Sequence, residues 1–111
     1  MKNDQTKNIR KFTTGAIRDS DQQKIDPEGF LSPLVIERYC QYMHKHRFMA
    51  DGSVRESDNW QKGIPVDVYM KSMWRHFLDI WKWHRKVDEM VDIEESLCAL
   101  LFNVQGMLFE I

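Results

Sequence analysis

Apolar residues recur at the three-and-four spacing of a helix face over three stretches of the chain, and the first thirty or so positions lack that period. Ser32-Pro33 supplies a favoured N-cap and first helical residue. Ile36, Tyr39, Cys40 and Met43 follow on one face, predicting a first helix from about Pro33 to Arg47. A second run opens at Pro65 and carries Val66, Tyr69, Met70, Met73, Phe77, Ile80, Trp81 and His84 to about Arg85. With Trp74 and Trp83 added, little of its circumference is left for solvent, which predicts the central helix. From Asp92 to Ile111 the stripe is Ile93, Leu97, Leu100, Leu101, Val104, Leu108 and Ile111. The opposite face is Asp92, Glu95, Ser96, Ala99, Asn103, Gly106 and Glu110, small enough for a helix or ligand to approach closely.

Residues 1 to 31, with Thr13-Thr14-Gly15, Asp19-Ser20-Asp21 and Pro27-Glu28-Gly29, read as an irregular arm, of which 1–12 form a flexible terminus. Phe48 to Ile64 has no clear period, and a connection this long in a small domain points to a functional loop. No alternating run is long enough for a strand. The expected fold is all-α: a bundle of three to four helices with an N-terminal arm, residues 13–111 making one domain.

Length and composition narrow this little further. At 111 residues and 42% hydrophobic the chain suits one core. There is no membrane span and no signal-like leader, so the expected location is cytoplasmic. Cys40 and Cys98 lie in apolar helical patterns, without metal-ligand spacing, and read as buried reduced thiols. Charge is unevenly placed: Met1 to Arg18 holds five basic residues against Asp4, whereas Asp88 to Ile111 holds six acidic residues and no Lys or Arg. That asymmetry suits a polyanion held by divalent cations, and equally suits charge pairing within or between chains. No concentrated basic face favours duplex nucleic acid.

Candidate chemistry sits on the helices and in the long loop. His76 and Asp79 share a face with Ser72 a turn before and Arg75 beside them, a set that serves a metal or phosphate, or a plain surface pair. Glu37, Asp79 and Glu95 place carboxylates on three helices, as a Mg2+ site needs; Glu94-Glu95 equally suits a helix dipole. His44-Lys45-His46-Arg47 reads as cations at a helix C-terminus, within reach of phosphate. Phosphate-loop, hydrolase-elbow, zincin and dinucleotide signatures are lacking. Of four tryptophans, Trp60, in the loop, suits stacking on a base, while Trp74, Trp81 and Trp83 read as core.

The ordered set Thr14-Gly15-Ala16-Ile17-Arg18-Asp19, Lys24, Gly29-Phe30-Leu31-Ser32-Pro33, Asp58-Asn59-Trp60-Gln61-Lys62-Gly63-Ile64-Pro65, Tyr69, Ser72, Arg75-His76, Asp79, Trp81 and Leu97-Cys98-Ala99-Leu100-Leu101-Phe102-Asn103 resembles the phage-type dATP/dGTP diphosphohydrolase N-terminal domain family. That family is related to the MazG-like all-α nucleotide pyrophosphohydrolases. The resemblance runs from about Thr13 to Glu110. It implies an oligomeric enzyme, a dimer or tetramer, dependent on Mg2+ (or Mn2+), that cleaves a nucleoside triphosphate to monophosphate and pyrophosphate in the cytoplasm, that of the host for a phage-encoded chain. In that reading Arg18, Lys24 and Arg75 hold phosphates and Asn59, Trp60 and Lys62 contact the nucleoside. Asp79 and Glu95 bind metal, His76 orients water or a ligand, and Asn103 bonds on the helix-three face of Glu95; the carboxylate count adds Glu37 as a third metal ligand. The chain departs from the MazG-like pattern in having only Glu37 on helix one and Ala99 at a place suited to an acidic ligand. A non-catalytic protein that sequesters a nucleotide, and a helical interaction module, are the alternatives.

Overall fold

The structure, a computed structural model, describes residues 9–20 and 23–111. They divide into two compact units at the Ser32–Pro33 junction.

In the first unit, β1 (Ile9–Lys11) pairs antiparallel with β2 (Ile17–Asp19), placing Arg10 opposite Arg18. The turn closes through Phe12 N–H donating to the Ala16 carbonyl at 3.0 Å, with Gly15 at a positive φ of 91°. Arg10 Nε donates to the Asp19 carbonyl at 2.9 Å. A short helix α1 (Pro27–Phe30) follows, capped by the Asp26 carboxylate, which accepts from Gly29 N–H at 3.2 Å. The expectation of an irregular, strand-free arm is thus corrected. Three-residue strands are too short to show a period, and the hairpin is fixed by its turn. Residues 1–8, most of the stretch expected to be flexible, lie outside the described residues.

The second unit contains α2 (Pro33–Lys45), a 3-10 helix (Asn59–Lys62), α3 (Val66–His84) and α4 (Ile93–Glu110), close to the predicted helices. The α4 N-terminus is capped by Asp92, whose carboxylate accepts from Glu95 N–H at 3.1 Å, and Glu94 and Glu95 in the first turn complement the helix dipole. A left-handed residue, Lys86 at φ 57°, ends α3. Val87 N–H reaches back to the Lys82 carbonyl at 2.9 Å and Lys86 N–H to that of Trp83 at 3.1 Å, the Schellman arrangement.

The packed faces differ from those expected. On α4 the buried residues are Ser96, Cys98, Ala99, Asn103 and Gly106, while Leu97, Leu101, Val104 and Leu108 are exposed, Leu108 at 73%. The small-residue face wins because it lets the neighbouring helix approach closely. Tyr69, the largest fully buried side chain at 1% exposure, lies directly over Gly106. Accordingly α3 is not enclosed: Trp74, Trp81 and Trp83 are exposed, and Tyr69 is its one buried residue. Cys98 is buried as expected, but Cys40 is exposed. The architecture is therefore largely helical with one small hairpin, and among the described residues no helix is long and apolar enough to cross a membrane.

Candidate functional site

Turn chemistry builds the most prominent cleft. After α2, Phe48 bridges Val54 in antiparallel fashion around Asp51-Gly52-Ser53. Met49 N–H donates to the Ser53 carbonyl at 2.9 Å, and the Asp51 carboxylate accepts from Ser53 N–H at 2.9 Å and Ser53 Oγ at 2.6 Å. Those bonds hold the Asp51 carboxyl below its ordinary range. The same register makes Arg47 and Arg55 cross-strand partners: Arg55 N–H donates to the Arg47 carbonyl at 2.9 Å, and Arg47 Nε to the Arg55 carbonyl at 2.7 Å. Arg55 Nη2 adds a bond to the His46 carbonyl at 2.8 Å.

This hairpin, the end of α2, the 3-10 helix and α4 enclose about 520 Å³. One part of the lining is aromatic and amide, with Asn59 and Trp60 from the 3-10 helix and Phe102 and Gln105 from α4. Trp60 is braced edge-on by Phe109 at 5.0 Å and Phe102 at 6.3 Å between centroids. Another part carries His44, His46, Arg47 and Arg55, with Glu56 as the one carboxylate of the lining. Tyr39 also lines the cleft; its hydroxyl is buried without a hydrogen-bond partner, and burial pushes its pKa up to about 12, so it remains a donor. Ile64, at the cleft edge, donates its N–H to Glu110 Oε1 at 3.1 Å.

A smaller concavity of about 220 Å³ lies between α2 and the start of α4. Here Arg38 Nε meets Glu94 Oε1 at 2.8 Å, and Glu95 accepts from Lys45 Nζ at 2.7 Å and lies 2.6 Å from His46 Nε2. Both carboxyls are held below their ordinary range, Glu94 by the hydrogen bond from Arg38 and Glu95 by that from Lys45.

The expected site residues are therefore distributed. Asn59 and Trp60 line the large cleft, and Lys62 sits beside it, its ammonium 3.6 Å from the Glu56 carboxylate. Ser72, His76 and Asp79 continue the Tyr69 face of α3 and are half-buried. Asp79 is ten residues beyond Tyr69 and Ser96 ten before Gly106, so antiparallel packing of α3 on α4 from the Tyr69–Gly106 contact would set Asp79 toward the Glu95 end of α4. Arg75 is exposed on α3, outside the cleft lining. Asn103 is buried, with Nδ2 donating to the Ala99 carbonyl of its own helix at 2.7 Å, and is not a cleft residue. Arg18 on β2 and Lys24 belong to the first unit.

Among the described residues the expected Mg2+ ligands Glu37, Asp79 and Glu95 are not gathered into one group. Glu37 is exposed, and two residues, or about 200° of helix, separate it from the inward-facing Tyr39. Glu95 is already bonded by Lys45 Nζ and lies 2.6 Å from His46 Nε2. Among the described residues no three His, Cys, Asp or Glu side chains come together in a metal-holding group. Arg55 and Gln105 are cleft residues that the sequence pattern did not single out, and Tyr39 was read there as an apolar-face residue only. No family model, no curated protein and no solved structure matches the chain.

Proposed function

We propose that the chain binds a nucleoside phosphate in the Trp60 cleft. The observation that carries this reading is that Trp60 and Asn59 share one cleft with the basic end of α2 and with Arg55. An indole offers a face to a base, an amide offers hydrogen bonds to its edge, and guanidinium and imidazole groups suit the anionic end. The resemblance to the dATP/dGTP diphosphohydrolase family favours a purine deoxynucleoside triphosphate as ligand.

The same resemblance supports hydrolysis to monophosphate and pyrophosphate with Mg2+ or Mn2+, and the approach of Asp79 to the Glu95 end of α4 is in keeping with it. The pairing of Glu95 with Lys45 and His46 favours the alternative, a protein that holds a nucleotide without turning it over. Incubation with dGTP or dATP and Mg2+, followed by product separation alongside a binding titration, decides between them. Tight binding with no monophosphate formed supports sequestration; release of dGMP with pyrophosphate supports the enzyme. Absence of any binding removes both.

A homo-oligomer forms part of the proposal. From Ser96 to Phe109 α4 has no charged residue, and its exposed Leu97, Leu101, Val104 and Leu108 follow a four-three-four spacing. An antiparallel copy of α4 would cover this stripe while keeping the acidic first turns of the two helices apart.

A further inference from the structure

The cleft carries a charge imbalance that its own partners do not remove. Glu56 is the one carboxylate among its lining residues, and Glu56 lies 3.6 Å from Lys62, outside the lining. His46 is engaged by Glu95. Among the described residues the Arg47 and Arg55 side chains bond backbone carbonyls alone. Each guanidinium has five N–H donors, so most remain available. Both arginines line the cleft and are tied to each other's backbone, and like charges held that close repel. An anion between them relieves that repulsion.

We propose that Arg47 and Arg55 form a phosphate clamp, which grips the polyphosphate of a nucleoside di- or triphosphate whose base lies against Trp60; this rests on the nucleotide reading above. The backbone bonds of each arginine fix its stem, so little side-chain freedom remains to be lost when phosphate binds. The clamp replaces Arg18, Lys24 and Arg75 as the primary phosphate holders. It also explains why an Asp-Gly turn, rather than a flexible loop, follows α2: only a paired hairpin sets the two guanidiniums opposite each other.

The test is calorimetric titration of the wild type, Arg47→Gln and Arg55→Gln with deoxyguanosine, dGMP and dGTP in EDTA, which excludes bridging metal and turnover. The wild type is expected to bind dGTP at least about tenfold more tightly than deoxyguanosine. Each variant should lose about tenfold or more for dGTP, as expected for a hydrogen bond to a charged group, yet bind deoxyguanosine within about twofold of wild type. Arg55→Lys, which keeps the charge, should recover part of the loss. Equal dGTP affinity in all proteins overturns the clamp and leaves the nucleotide reading standing. Parallel loss of deoxyguanosine and dGTP affinity also overturns it, since the arginines would then only shape the hairpin. Failure of the wild type to bind either ligand overturns the nucleotide reading and the clamp with it.

Discussion

Tyr69 occupies the notch that Gly106 leaves in α4: a Cβ at position 106 would fall inside the Tyr69 ring. Because Tyr69 is fully buried, its ring has nowhere to move, and Gly106→Ala should destabilise the protein by about 1–3 kcal/mol, as overpacking does. Thermal or urea unfolding measures this. Tyr69→Ala should remove most of the penalty of Gly106→Ala in a double-mutant cycle, and additive effects would show that the two residues do not share the space.

The two buried tyrosine hydroxyls lack partners but differ in position. An unpartnered buried hydroxyl is a cost to the folded state, so Tyr39→Phe and Tyr69→Phe should each be neutral or stabilising, by up to about 1 kcal/mol. Only Tyr39 lines the cleft. Tyr39→Phe should therefore weaken dGTP binding severalfold, whereas Tyr69→Phe should not, as read by titration of both variants.

Lys86 closes α3 in a backbone conformation that glycine adopts at no steric cost. Lys86→Gly should raise stability by about 0.5–1 kcal/mol, and Lys86→Val should lower it. A glycine variant that melts below the wild type would contradict the Schellman geometry.

Carboxyl groups held below their ordinary pKa stabilise the fold above the unfolded-state value and lose that contribution as pH falls through the lower folded value. Glu94 and Glu95 are in this position, through Arg38 and Lys45 respectively. Glu94 is exposed and Glu95 half-buried at the surface, so the effect is small and salt-sensitive. The melting temperature of the wild type should exceed that of Glu95→Gln at pH about 6, in the range where a carboxylate is ionised, and the gap should close near pH 3. A gap that persists in acid would mean the staple is not ionic.

A charge placed in the uncharged stripe of α4 tests the assembly. Light scattering of the wild type should give at least a dimer at high micromolar concentration, and Leu101→Glu should give a monomer of unchanged helicity. A monomeric wild type would remove the proposed interface.

The helices of the second unit were legible because each runs several turns with apolar positions in phase, and their observed limits fall within two residues of the expected ones. Which face packs was not legible. Leu97, Leu101 and Leu108 outweigh Ser96, Ala99 and Gly106 in hydrophobicity, yet the interface is decided by how closely Tyr69 can approach. Periodicity measures apolar content and carries no information about the partner's shape. In the site, Trp60 and Asn59 stood out through their loop position. Arg55 did not, although Asp51-Gly52 between Phe48 and Val54 is a hairpin signal that pairs position 47 with 55. That Lys45 and His46 face Glu95 was not legible either, because side chains 50 and 49 residues away are brought to it only by the fold.

The bond from Ile64 N–H to Glu110 Oε1 ties one edge of the cleft to the last turn of α4. Glu110 thus becomes a remote handle on ligand affinity, because Glu110→Ala releases the Ile64 edge without replacing any residue that lines the cleft.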